Sequence, residues 1–329
     1  MARTRASSDP PLAVPLPDRF LERLAHIVPP ERYEAVVATF GAPERVGFRV
    51  NPLRGERSVV LAELGAAGLR PEPVGWYADA FTLAPEERAA LLASDAYARG
   101  AAYPQNLSSM VPPLALAPAP GDRVLDLAAA PGSKTLQMAA LMENAGEIAA
   151  VELVRDRFFR LRANALAAGA TVVRPFLQDG TKVWRYRPEH FDRVLLDAPC
   201  STEGRFRADE PETYRYWSER KIREMQNRQH RLLFSAVGAL AVGGVLVYAT
   251  CSFAPEENEA VLDKALTTFD GALELEPLGV DVPNAEPALA GWDDRPFRHD
   301  LAHARRLVPD GTHEAFFVAR LRKTASTAR

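Results

Sequence analysis

Two cysteines, Cys200 and Cys251, are the only thiols in a chain of 329 residues. They occupy the same local setting. Cys200 ends Leu195-Leu196-Asp197-Ala198-Pro199-Cys200-Ser201, and Cys251 lies in Tyr248-Ala249-Thr250-Cys251-Ser252. In both, an apolar run of strand character delivers a thiol into a turn. A thiolate is a strong nucleophile even when only a few per cent of the thiol is ionised at neutral pH. Added to carbon 6 of cytosine, it makes carbon 5 enamine-like and able to attack a methyl sulfonium. An acid such as Asp197, held at N3, stabilises the charge that develops on the ring. A base must then remove the carbon-5 proton so that sulfur can leave. Two other readings stand beside this one: a pair of buried structural thiols, or a redox disulfide.

A second stretch, Val124-Leu125-Asp126-Leu127-Ala128-Ala129-Ala130-Pro131-Gly132-Ser133-Lys134-Thr135, runs from strand through small residues into a helix. Small side chains let a ligand lie against the backbone, and a helix N-terminus offers free N–H groups. Ser133 stands where a P-loop needs glycine before its lysine, and Ala129 to Pro131 break the dinucleotide fingerprint. Glu152 follows the apolar strand ending at Val151, and Asp179 follows the next strand in Gln178-Asp179-Gly180. Acids at successive strand tips accept hydrogen bonds from ribose hydroxyls. The set suits an adenosine-containing ligand bound without a phosphate loop, a description that S-adenosyl-L-methionine meets.

The elements that must carry these residues follow from periodicity. Strands are expected over 123–127, 147–151, 171–176, 191–196, 245–249 and 315–321. Helices are expected over 134–142, 155–168, 219–242 and 255–269. Strands alternating with helices imply an α/β fold, a doubly wound Rossmann-like sheet with ligands at the carboxyl ends of its strands. In such a sheet the fourth and fifth strands are neighbours, so the cysteines should approach each other. Ahead of it, two short helices over 20–40, a strand over 46–50 and a helix over 59–67 form a small N-terminal α+β module. The expected organisation is a loose tail over 1–16, the module over 17–95 as an RNA-engaging unit, and a catalytic domain over 96–329.

Taken together, these segments resemble the RsmB and NOP/SUN family of RNA cytosine-5 methyltransferases. The resemblance spans most of the chain. It includes Phe48-Arg49-Val50-Asn51, Tyr103-Pro104-Gln105-Asn106 with Ser108, and the loop from Asp126 to Thr135. It continues through Asp197 to Ser201, Tyr248 to Ser252 with Glu256-Glu257-Asn258-Glu259, and the closing Phe316-Phe317-Val318-Ala319. The resemblance implies that Cys251 attacks carbon 6 and Cys200 assists product release. Asp197 then contacts the cytosine ring, and Lys134 lines the site between methyl donor and base. The backbone of Ala128, Ala129, Ala130, Pro131, Gly132, Ser133 and Lys134, with Glu152, Asp179 and Asp197, holds the cofactor. The chain departs from the pattern at Ser133, Thr202 and Ala315, where glycine is usual, and at Pro104.

Composition narrows the partners. The formal net charge is -3, without the basic excess common in nucleic-acid binders, so contact with rRNA or tRNA must come from local patches. Arg205 to Arg231 holds eight basic residues against five acids, with Tyr214, Tyr216 and Trp217 among them. RNA contact and a solvated helix face both fit that stretch. Arg207, just past the Cys200 turn, is the best single candidate for RNA contact. Two cysteines fit a reducing compartment, hence a cytoplasmic protein, expected to be monomeric. The charge-free run 232–253 is long enough to span a membrane, but Gly243-Gly244 splits it into helix and strand, so no membrane span is expected. His299-Asp300-Leu301-Ala302-His303 mimics a zinc helix but lacks a third ligand, and no metal is expected. The alternative function is a catalytically retired RNA-binding or ribosome-assembly factor on the same fold; the intact Cys200, Cys251, Asp197 and Lys134 argue against it.

Overall fold

The computed structural model describes residues 16–328. Of the tail expected over 1–16, residues 1–15 lie outside that range; Leu16 is buried in one apolar cluster with Phe20, Leu24 and Phe253. Helices Asp18–Ile27 and Tyr33–Thr39 are separated at Pro29-Pro30 by a short 3-10 turn, Pro30–Arg32. The break follows from proline, which cannot donate in a helix interior. Strand Val46–Val50 lies inside a four-stranded antiparallel sheet, between Ala80–Leu83 and Ala102–Pro104. Helix Arg57–Ala66 closes this small unit by burying Val60 and Leu64 against Phe48, Val50 and Leu83.

The larger unit is a nine-stranded Rossmann-like sheet. Its parallel part has the spatial order Val173–Leu177, Glu147–Glu152, Arg123–Leu127, Phe191–Asp197, Leu240–Thr250. Phe316–Lys323 then adds antiparallel to Leu240–Thr250. The strands are apolar on both faces because both faces are covered. Val124 packs into a cluster with Leu136 and Leu161, while Leu125 and Leu127 pack on the other side with Leu232 and Leu233. Strand order reverses between Arg123–Leu127 and Phe191–Asp197, and a ligand crevice is expected at such a switch point.

Two segments depart from expectation by more than two residues. Helix Glu219–Ala239 stops three residues early, and its strand begins at Leu240 rather than Val245. Leu240 already pairs with Phe191, then the register jumps to Arg193 opposite Val245. The intervening chain bulges at Gly243, whose φ of +82° suits glycine. Helix Glu259–Thr268 starts four residues late, because Glu257 and Asn258 turn inward to hydrogen-bond other loops. Among the described residues no helix is long and apolar enough to cross a membrane. His299 Nδ1 lies 2.8 Å from Asp263 Oδ1.

The two units are joined by buried polar contacts. The Asn51 amide donates to the carbonyls of Gly100 at 3.0 Å and Ala168 at 2.9 Å. Arg49 is fully buried. Its Nε donates to Gln105 Oε1 at 2.9 Å, and its guanidinium lies 5.1 Å from the centroid of the Tyr103 ring. Gln105 in turn donates to Gln137 Oε1 at 3.0 Å in the helix after the small-residue loop. Asn51→Ala would strand two buried carbonyls, and each costs about 1–3 kcal/mol. The expected outcome is a destabilisation of about 2–4 kcal/mol in urea unfolding, with the two units losing their cooperativity; a loss below about 0.5 kcal/mol would show that the contact is not what joins them.

Candidate active site

The two cysteines meet. Cys200 and Cys251 lie at the carboxyl ends of adjacent strands with their sulfurs 3.4 Å apart, both as free thiols. Cys251 is buried and Cys200 partly so. The pair shares one ionisation readily and two only with difficulty. The Cys251 thiol is pulled below its ordinary value, first by the hydrogen bond from Cys200 and then by the Arg205 guanidinium, against the penalty of burial. Cys200 is pushed well above its ordinary value, because its proton bridges to Cys251 and a second anion would be buried beside the first. A thiolate on Cys251 hydrogen-bonded by neutral Cys200 is the arrangement these directions describe.

Beside the thiols stands a buried ion pair. Lys134, from the helix after the small-residue loop, donates from Nζ to Asp197 Oδ2 at 2.6 Å and to Ser109 Oγ at 2.7 Å. Its ammonium also lies 5.1 Å from the centroid of the Phe316 ring. A desolvated ammonium is tolerated only with such partners. Asp197 is thus aimed from the strand that carries Cys200, and its side chain keeps 32% of its surface exposed toward the crevice.

The small-residue loop is held open by backbone contacts. Ala128 adopts a left-handed conformation, φ +63°, and Gly132, φ +112°, caps helix Ser133–Leu141. A side chain on Gly132 would lie 3.0 Å from Leu161 Cδ1. Arg157 and Asn164 donate to the carbonyls of Ala130 and Pro131, and the Ala130–Pro131 peptide is cis. The serine at position 133 is accommodated as the first residue of the helix. Glu152 is 3% exposed; its Oε1 accepts from Val154 N at 2.8 Å, while Oε2 is buried with no hydrogen-bond partner. An unsatisfied carboxylate oxygen at this edge fits a hydroxyl donor from a ligand. Asp179 is more exposed and accepts from Thr181, capping the turn Gly180–Lys182. Asp126 is internal: buried, its carboxyl pushed up to about 7 by burial, it accepts from Thr135 Oγ1 at 2.6 Å.

Arg207 does not reach the thiols. Its half-buried guanidinium lies 3.7 Å from Glu44 and 3.6 Å from Asp209. The cation that couples to Cys251 is Arg205, itself 3.7 Å from Glu314. It belongs to the turn Glu203–Arg205, whose Gly204 N donates to Cys251 O at 3.0 Å. A side chain on Gly204 would meet Ala315 O at 2.5 Å. Thr202, where glycine is usual, holds the left-handed conformation that opens this turn, φ +60°. Arg205, Ser109 and Glu314 escaped the sequence reading, since only tertiary contact distinguishes them from surface residues.

The largest omission was Glu257, which the sequence showed only within the Glu256-Glu257-Asn258-Glu259 motif, with no role assigned to it. It is fully buried. Its carboxyl accepts from Ser201 N at 2.9 Å and Ser201 Oγ at 2.5 Å, beside Cys200, and from Ser252 Oγ at 2.6 Å, beside Cys251. Gln229 donates to the same carboxyl and to Pro199 O. Glu203 completes the clamp by accepting from Phe253 N at 3.0 Å and Trp217 Nε1 at 2.7 Å. Asn258 bridges Thr250 and Ser252, and Glu259 makes a buried ion pair with Arg306.

A doubly wound sheet with acid-bearing strand tips and a glycine-capped small-residue loop beside its switch point defines the Rossmann-like methyltransferase class. Within it, the chain belongs to the RsmB/F family: residues 113–322 match the family model described as 16S rRNA methyltransferase RsmB/F. Residues 16–107 match the N-terminal domain of 16S rRNA methyltransferase RsmF. The ribosomal RNA small subunit methyltransferase F of Serratia proteamaculans is 39% identical over 95% of this chain and 64% of that protein. The chain therefore spans somewhat under two thirds of the length of that relative. The tRNA (cytosine(49)-C(5))-methyltransferase of Pyrococcus abyssi is 36% identical over 85% of this chain and 89% of that protein. The crystal structure of a methyltransferase homolog from Pyrococcus horikoshii superposes with a TM-score of 0.78 at 33% identity, covering 94% of this chain and all of that one.

The clamp has a pH signature. Burial pushes the Glu257 carboxyl up to about 8, with the neighbouring Glu203 charge adding to the effect. A carboxyl whose folded-state pKa is raised contributes stability that is complete below its unfolded value, and that is lost as pH rises through the folded one. Asp126, at about 7, acts in the same direction. Stability should therefore fall between about pH 5 and pH 8.5, and Glu257→Gln should flatten part of that fall. Urea midpoints at the two pH values test this; an equal drop in variant and wild type would remove Glu257 as a cause.

Proposed function

We propose that this protein transfers a methyl group from S-adenosyl-L-methionine to carbon 5 of a cytosine in rRNA or tRNA, through a covalent bond between Cys251 and carbon 6. The observation that carries the reading is the 3.4 Å approach of Cys200 to Cys251 beside the Asp197–Lys134 pair. The relatives named above for 16S rRNA and for tRNA cytosine methylation support the substrate class.

The cofactor residues fit an adenosine-bearing ligand on one observation in particular. Glu152 Oε2 is buried and accepts no hydrogen bond, with only the Arg157 guanidinium 3.7 Å away, which leaves it free to accept from a ribose hydroxyl. Glu152, Asp179 and the loop from Ala128 to Lys134 would hold the cofactor, which supplies an electrophilic methyl on a sulfonium. In this reading the thiolate of Cys251 forms the bond to carbon 6. Asp197 meets the ring at N3, and a proton passed to its carboxylate from the Lys134 ammonium makes it a donor to N3 as negative charge develops there. Once carbon 5 carries the methyl, a base takes its proton, the electrons re-form the ring double bond, and the carbon–sulfur bond breaks. Cys200 sits where it can assist that proton transfer and so release the product. Arg205 favours the thiolate form of Cys251, as its coupling to that residue suggests.

Separate cysteine variants test both the reaction and the roles. With labelled S-adenosyl-L-methionine and total rRNA and tRNA, the wild type should yield 5-methylcytidine on nucleoside analysis. Cys251→Ala should abolish both product and covalent RNA adduct. Cys200→Ala should accumulate an adduct that survives denaturing electrophoresis, with turnover lowered by about 100-fold or more. Adduct accumulation in Cys251→Ala instead would exchange the two roles. Absence of 5-methylcytidine from every RNA offered would sink the proposal and favour the catalytically retired alternative.

A further inference from the structure

The basic stretch singled out in the sequence divides into two halves in the structure. The first turns of helix Glu219–Ala239 form an ion-paired face: Arg220 lies 3.3 Å and Lys221 3.7 Å from Glu224, and Arg223 lies 4.0 Å from Glu219. The second half is different. Arg231 faces a cleft of about 490 Å³ between the segment 181–185 and helices Glu219–Ala239 and Glu259–Thr268. Its rim carries Lys182, Arg185, Arg231 and Lys264, with no carboxylate among the lining side chains. Lys182 has Asp179 at 3.7 Å. Among the described residues, Arg185, Arg231 and Lys264 have no carboxylate within 4.0 Å.

Aromatic rings stand among these cations. Trp184 and Phe234 meet edge to face with centroids 5.6 Å apart, and Phe234 is 42% exposed. The Arg185 guanidinium lies 5.4 Å from the centroid of Trp184. A protein with a net charge of -3 thus gathers unneutralised cations around one exposed ring, Phe234, and the half-buried Trp184. A cationic rim over an apolar floor selects an anion with flat apolar faces. Phosphates spaced along a strand answer the cations, and unstacked bases answer the rings.

The cleft also adjoins the site. Lys182 lies in the turn that Asp179 caps. Gln229, one residue before the helix reaches His230 on the cleft wall, hydrogen-bonds Pro199 O in the Cys200 turn at 2.9 Å. We propose that this cleft binds a single-stranded segment of the RNA substrate, outside the cysteine site, by phosphate contact at Arg185, Arg231 and Lys264 and base stacking at Trp184. The inference rests on the RNA reading of the function.

The test uses the full chain and a 5′-fluorescein-labelled single-stranded RNA of about 12 nucleotides, followed by fluorescence anisotropy at several salt concentrations. R185E/K264E should weaken binding by about tenfold or more and reduce the slope of log affinity against log salt by about two. W184A should weaken binding by about fivefold or more with the salt slope unchanged. Both variants should keep the wild-type thermal midpoint and the wild-type methylation rate at saturating RNA. Affinities within about twofold of wild type, in variants whose parent methylates RNA, would overturn the cleft assignment and leave the function standing. Unchanged RNA affinity combined with loss of binding to a polyglutamate peptide would give the cleft to an acidic protein and overturn it as well. A wild type that neither binds nor methylates RNA would overturn both.

Discussion

One buried carboxylate holds the chemistry in register. Glu257 accepts hydrogen bonds from the serine after each cysteine, Ser201 and Ser252, so the two turns that carry the thiols are fastened to a common point. Parallel strands alone set their backbones side by side but do not bring side chains past the strand ends to 3.4 Å. The clamp supplies that last step. It demands burial, and burial in turn demands that every donor be matched: Gln229, Ser201, Ser252 and the backbone of Ser201 all spend their hydrogen bonds there. A dense buried network of this kind favours one geometry, because any slip leaves a carboxyl oxygen without partners in low dielectric.

The same logic reaches the N-terminal unit. Its Arg49 and Asn51 are buried: Arg49 connects through Gln105 and Gln137 to the helix that begins with Ser133 and Lys134, and Asn51 reaches the carbonyl of Ala168. The module therefore braces the far side of the loop whose near side faces the crevice. Lys134 is pinned from both directions, by Ser109 at the entry helix and by Asp197 on the fourth parallel strand. The residues that join the two units thus lead to the helix whose Lys134 stands in the ion pair with Asp197.

How much of this was legible depended on whether a residue's partners lie near it in sequence. The strand-tip cysteines, Asp197 and Glu152 were legible because alternating strands and helices oblige a ligand edge, and each residue sits at a predictable end of its own strand. The helix break at Pro29-Pro30 was legible for the same local reason, whereas the change from helix to strand expected at Gly243-Gly244 falls earlier, between Ala239 and Leu240. The exact bulge at Gly243 was not legible, because it depends on the register of a neighbouring strand. Arg207 was singled out because it follows the Cys200 turn; its neighbours Glu44, 163 positions earlier, and Asp209 were not legible, nor was the coupling of Arg205 to Cys251.

The amino-acid sequence by itself determined the kind of sheet, its ligand edge, and the two thiols and acid brought to that edge, because strand periodicity and chain order dictate them. The tertiary structure alone decided which thiol is favoured as the anion, since that rests on Arg205 and Cys200 arriving from other segments. It alone revealed that Glu257 clamps the turns, that Ser109 shares Lys134, and that half of a basic helix is ion-paired while the other half faces an aromatic cleft. The physical reason is common to all three. Charge and hydrogen-bond satisfaction are properties of what surrounds a group in space, and sequence spacing specifies that surrounding only where the partners are neighbours along the chain.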